Sequence, residues 1–282
     1  MFASFWLFAS FWVYAVLPPF LVSLGASGLL RFRVGSKLGL RLAEIGPVLG
    51  FLVGFIGIAQ GVPFLNNVAN HPVGELAVFA LATGIGLALL PPGPRLGRIL
   101  AVGAALLAIF WQLSSGILPA EQWLVAGTAA SVAILVLDRL VLLARIGAST
   151  MLVLAIASLS LIAISVSAKA PLPLSGMALA LAAACAGWLV WARPFGKIKL
   201  CLAAAVSAGM VFVTLAFKIS QSAAHPPWAL APLIACFWAE AILQRLPVPA
   251  KLGKKKPLRP LLLAAAAAIP ALAAAVLGVF LA

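Results

Sequence analysis

The sequence predicts an all-α, polytopic integral membrane protein: one transmembrane domain, residues 1–282, built as a bundle of about ten helices with both termini on the outer, periplasmic side. Three observations predict it. Hydrophobic residues make up 65% of the chain and charged residues only 9%, with a mean hydropathy of +1.22. A soluble domain carries roughly 25% charged residues to cover its water-facing surface. The apolar residues fall in long continuous runs, unlike the alternating segments of about 10 residues that build a transmembrane barrel. The basic residues fall almost entirely on alternate connections. This composition excludes a nucleic-acid-binding domain, a secreted disulfide scaffold and a disordered chain.

A helix needs roughly 20 apolar residues to cross a hydrocarbon core about 30 Å thick. Ten such runs lie near 4–29, 43–61, 73–91, 98–118, 122–144, 149–168, 173–192, 199–218, 226–245 and 260–281. The first lacks the positive n-region of a signal peptide and is too long for its apolar core, so a retained first span is expected. Pro18 and Pro19 sit near its middle, where each removes a backbone hydrogen bond and favours a kink. Span two reads IGPVLGFLVGFIGIAQG: Gly46, Gly50 and Gly54 repeat every four residues, and Gly57 and Gly61 do so again. Small residues at that spacing form a groove for close helix approach. The groove suits another helix of this chain, a second copy in a homo-oligomer, or a membrane-protein partner.

Spans three, five, seven and nine open near Pro72, Pro119, Pro173 and Pro226. Proline is tolerated in a first turn because its missing N–H would be unpaired there anyway. Glu75 and Glu121 fall in first turns, where the helix dipole favours an anion. Span ten carries Pro270 near its middle. Broken helices at mid-membrane mark the binding sites of repeat-built transporters. Two loose likenesses, of 94–110 to 193–212 and of 120–140 to 225–246, hint at a duplicated four-helix unit.

The charges set the orientation. Of the 19 Lys and Arg, seventeen follow spans one, three, five, seven and nine, and only Lys169 and Lys218 fall on the other side. Cytoplasmic loops hold the excess of basic residues, so the odd-numbered connections are cytoplasmic. The net charge of +14 is thus a cytoplasmic feature. Its densest cluster, Lys251, Lys254, Lys255, Lys256 and Arg259, can dock anionic lipid headgroups or an acidic partner. Trp6, Trp111, Trp123 and Trp228 lie toward the outer ends of their spans, and Trp188 and Trp191 toward an inner end, as amphipathic rings at an interface do. Trp12 and Trp238 fall near mid-span and are expected to pack between helices.

Few residues can carry chemistry. Of five acids, Glu44 lies three residues after Arg41, a spacing for a helical ion pair. Asp138 lies in the cytoplasmic half of span five, beside Arg139. Glu240 is about 14 residues into span nine, roughly 20 Å down at 1.5 Å per residue. An ionisable group at that depth is costly and is a functional candidate. A carboxyl there that gains and loses a proton would couple transport to a proton gradient; the bland alternative is a pair with Arg139 or Arg245. Asn67, Asn70, His71, Glu75 and His225 form the polar part of the outer rim, as a substrate mouth or as ordinary helix caps. Cys185, Cys201 and Cys236 lie within spans and behave as small apolar residues.

No HExxH motif, no paired aspartates and no strand-borne phosphate loop occur, so neither a metal nor a cofactor is expected and no enzyme motif stands out. The reading is a multi-pass transporter or flippase in a bacterial-type inner membrane, moving a small apolar or amphipathic, lipid-like substrate. Glu240, Asp138, Pro18, Pro19 and Pro270 are the path candidates. The alternative is a non-catalytic subunit or assembly factor of a larger membrane complex, which sparse polarity and the glycine groove also suit.

Overall fold

The computed structural model describes residues 2–33, 37–59, 72–89, 93–113, 120–144, 149–167, 169–192, 202–222, 231–245 and 258–280. All of these but 93 and 169–171 are helical. The ten stretches coincide with the ten apolar runs. The helices are α1 (Phe2–Arg33), α2 (Lys37–Leu42), α3 (Gly46–Ala59), α4 (Pro72–Leu89), α5 (Pro94–Leu113), α6 (Ala120–Ala144), α7 (Ser149–Ser167), α8 (Leu172–Ala192), α9 (Leu202–Ser222), α10 (Ala231–Ala235), α11 (Ala239–Arg245) and α12 (Leu258–Phe280). Two stretches are interrupted: a 3₁₀ turn, Ala43–Ile45, joins α2 to α3, and another, Cys236–Trp238, joins α10 to α11.

Among the described residues, seven helices are long and apolar enough to cross a membrane, which is the make-up of a multi-pass membrane protein. Shorter apolar helices cover Leu96–Trp111, Ala231–Leu243 and Leu262–Leu277. Large apolar side chains face outward along the bundle, Phe110 at 71% and Ile269 at 71% exposure among them. An apolar exterior suits hydrocarbon and is ruinous in water.

Helix α9 is the central post. Every residue over 203–215 is buried, and α3, α4, α5, α6, α7 and α8 all pack on it. Its sequence explains the position: AAAVSAGM offers small side chains, so neighbours approach closely. A Cβ at Gly209 would lie 2.5 Å from Leu137 and 2.7 Å from Leu140 of α6. Several buried hydroxyls are satisfied within their own helices: Ser207 donates to Ala203 O, Thr214 to Met210 O and Ser158 to Leu154 O. That removes the cost of an unpaired hydroxyl in an apolar interior.

The glycine groove is filled by the chain itself. A Cβ at Gly46 would collide with Ser27, at Gly50 with the Pro19 carbonyl, and at Gly54 with Pro19 (2.6 Å) and Ala180 (2.8 Å). Helix α3 therefore lies directly on α1 and α8. Gly57 has open space around it.

Cross-helix contacts join residues that the charge alternation puts at one depth. Trp191 of α8 donates to Leu24 O of α1 at 2.8 Å. Trp111 of α5 donates to Glu75 Oε2 of α4 at 2.9 Å. Arg98 of α5 pairs with Asp138 of α6 at 3.2 Å.

The two suspected repeat units do not pack alike. Helices α5 and α6 pack directly, whereas α9 has no substantial contact with α10 or α11.

Candidate functional site

The site is assembled around the 3₁₀ turn Cys236–Trp238, between α10 and α11. No proline or glycine lies within Cys236–Trp238, so the local sequence does not dictate the break. Neighbours do. The Cys236 thiol donates to Ala267 O of α12 at 3.4 Å. Phe237 meets Phe212 of α9 edge-on, with centroids 5.4 Å apart. Trp238 lies under the Arg139 guanidinium of α6, 4.7 Å from the ring centroid. A 3₁₀ turn has three residues per turn and sends three successive side chains in three directions. Here the directions are α12, α9 and α6.

Above the turn lies a cavity of about 390 Å³ between α5, α6, α9 and α10. Its walls are Ile109, Thr128, Ala129, Val132, Ala133, Val136, Phe212, Val213, Ala216, Phe217, Ser220, Ala231, Leu233, Ile234 and Phe237. Only Thr128 and Ser220 bring side-chain hydroxyls. Helix α6 touches the 3₁₀ turn but has no substantial contact with α10. The two helices therefore part above the turn and leave the space. Phe212 and Phe237 close its deep end.

Below the turn lies Glu240, one helical turn beyond Phe237, buried to 5% exposure. It begins α11, which rests on α12. Arg139, considered from sequence as a partner for it, sits on Trp238.

The other sequence candidates separate. Pro270 lies on α12, about one turn past the Ala267 carbonyl that Cys236 engages. Proline at 270 deprives Ala266 O of its helical donor, which leaves this stretch of α12 the part least committed to its own ladder. Asp138 is spent on the half-exposed pair with Arg98, although its neighbour Arg139 reaches the turn. Pro18 and Pro19 lie within an unbroken α1. Pro19 packs against Gly50 and Gly54, apart from the cavity. Glu75 holds Trp111, which in turn meets Phe79 edge-on at 4.9 Å. Asn67, Asn70, His71, His225, Lys251, Lys254, Lys255 and Lys256 lie outside the described residues. Arg259 falls in the first turn of α12, and its side chain lies outside them too.

Among the described residues, no three His, Cys, Asp or Glu side chains gather to hold a metal ion. The sequence reading missed the cavity walls, because Val, Ala and Phe at helical spacing look like any packed face. The single usable signal was a hydroxyl on each of two spans, Thr128 and Ser220. Comparison with known protein families, with curated proteins and with solved structures gives no match to this chain.

Proposed function

We propose that the chain is a ten-span transporter or flippase of a bacterial-type inner membrane, with both termini outside, that moves a small apolar or amphipathic substrate in exchange for protons at Glu240. One observation carries the reading: a helix tightened into a 3₁₀ turn at depth, with an apolar cavity on one side of the turn and a buried carboxyl on the other. A 3₁₀ stretch in the middle of a helix often marks a functional hinge. A carboxyl next to it is the group that can be charged when open to one side and neutral when the path closes.

The alternation of basic residues supports ten spans. Were the three shorter apolar helices not to cross, the seventeen basic residues would scatter over both faces.

The test is flux. The full chain is reconstituted in phosphatidylethanolamine–phosphatidylglycerol vesicles, and transbilayer movement of a fluorescent single-chain lipid is followed with and without an imposed pH gradient. The protein accelerates movement, and the gradient drives it. Glu240→Gln folds but loses the response to the gradient at least tenfold, while Asp138→Asn keeps it. A Glu240→Gln protein with an unchanged pH response sinks the proton role. Movement no faster than in empty vesicles sinks the transport reading and favours a subunit of a larger complex.

A further inference from the structure

The cavity is not uniform along its length, and its gradient names a class of occupant. Thr128 lies near the outer end of α6 and Ser220 near the outer end of α9, so the hydroxyls sit toward one mouth. Val136, Phe212 and Phe237 lie deeper and are wholly apolar. The mouth also opens sideways. Thr128 and Val132 of α6 and Ala231 of α10 are exposed to the surroundings of the bundle, on the two helices that part there.

Size narrows the choice. A cavity of about 150 Å³ holds benzene, so about 390 Å³ holds about two and a half times as many carbons. That is one hydrocarbon chain of roughly twelve to sixteen carbons at the same density. It is too small for the two chains of an ordinary bilayer lipid.

Resting on the transport reading, we infer that the cavity takes a single-chain amphiphile from the outer leaflet through the portal between α6 and α10. The chain lies against Val136, Phe212 and Phe237, and the polar head stays at the Thr128 and Ser220 hydroxyls, where Ser220 donates to Phe217 O and offers its lone pairs to the head. The Phe237 floor is the first residue past which the substrate must go to reach Glu240. Chain in bilayer and chain in cavity are both in apolar surroundings, so selection here comes from finite length and shape, not from the hydrophobic effect. Binding therefore rises as the chain fills the space and falls once it is too long.

The experiment is photolabelling of the full chain in phosphatidylethanolamine–phosphatidylglycerol vesicles with a fatty acid of about fourteen carbons bearing a mid-chain diazirine. Adducts are expected on α6 and α10 around Val132, Val136 and Ile234. Unlabelled single-chain competitors of matching length suppress them at least tenfold, and diacyl lipid does not. Ala133→Phe and, as a milder second filling, Ala216→Leu lower labelling at least fivefold, with folding checked by thermal melting. Labelling spread over lipid-facing residues such as Phe110 and Ile269, and indifferent to either filling, overturns the inference. If that happens while Glu240→Gln still abolishes pH-driven flux of other substrates, only the single-chain substrate is lost. If flux fails as well, the transport reading goes with it.

Discussion

At the scale of single residues, Asp138 and Glu75 are held in different ways. Asp138 is about one-third exposed and Arg98 about one-half, so their pair is screened and worth about 0–1 kcal/mol. Asp138→Asn is therefore expected to cost under about 1 kcal/mol in a reversible detergent-unfolding titration, besides leaving flux intact. A loss several times larger would mean that the pair locks α5 to α6. Glu75 differs again, because it accepts the Trp111 N–H in a part-buried setting. Trp111→Phe removes that donor and is expected to cost about 1–3 kcal/mol in the same titration. Lys169 offers the converse. Its φ of 53° is left-handed backbone. Its N–H bonds to Val166 O and the next N–H to Ser165 O, which together end α7 in a Schellman turn. That is glycine's place, and a non-glycine residue costs roughly 1–2 kcal/mol there. Lys169→Gly should raise stability by about 1 kcal/mol, and a loss would show that the Lys169 ammonium does more than end a helix.

At the scale of elements, the ten helical stretches were legible because length and hydropathy decide them, and neither depends on tertiary contacts. The two 3₁₀ turns were not read, for two different reasons. The turn Ala43–Ile45 has a local cause that was overlooked. Pro47 cannot donate to Ala43 O, so that carbonyl accepts from the Gly46 N–H and from Ser27 Oγ at 2.9 Å instead. The turn Cys236–Trp238 has no local cause, and its three partners come from distant parts of the chain. Helices α1 and α12 run on through Pro18, Pro19 and Pro270. The candidates fall in different settings: Glu240 lies past the turn from the cavity, and Pro19 lies in a packing seam. That seam makes its own prediction. Gly50→Ala drives a methyl into the Pro19 carbonyl, Ser23 and Ala184, two of them rigid, and should destabilise by about 1–3 kcal/mol. Gly57→Ala, on the same helix with open space around it, should be neutral or gain up to about 1 kcal/mol from helix propensity. Thermal melts of the two variants side by side separate packing from propensity. Equal behaviour would mean that α3 does not lie in the α1–α8 groove.

At the scale of the whole molecule, the proposed ten-span arrangement makes a demand on packing: residues in contact must belong to ends on one side. The charge rule concerns insertion and knows nothing of contacts. The contacts concern the folded bundle and know nothing of the membrane. Yet Arg98 meets Asp138, Glu75 meets Trp111, and Leu24 meets Trp191, each joining ends that the charge rule assigns to one side. An odd error in the number of crossings would pair opposite ends somewhere. The arrangement turns on the three shorter apolar helices, of which Ala231–Leu243 carries the site and Leu262–Leu277 packs on it. If Ala231–Leu243 and Leu262–Leu277 both failed to cross, the termini would end on the same side as before, so locating the termini alone cannot decide. The connection between them decides. In a variant with its native cysteines replaced, a single cysteine at Lys255 should react with a membrane-impermeant maleimide only after the membrane is opened. A cysteine at Lys169 should react in intact cells. Lys255 reacting from outside while Lys169 still does so would put the region after span nine on the wrong face. Glu240 would then not lie on a path across the bilayer.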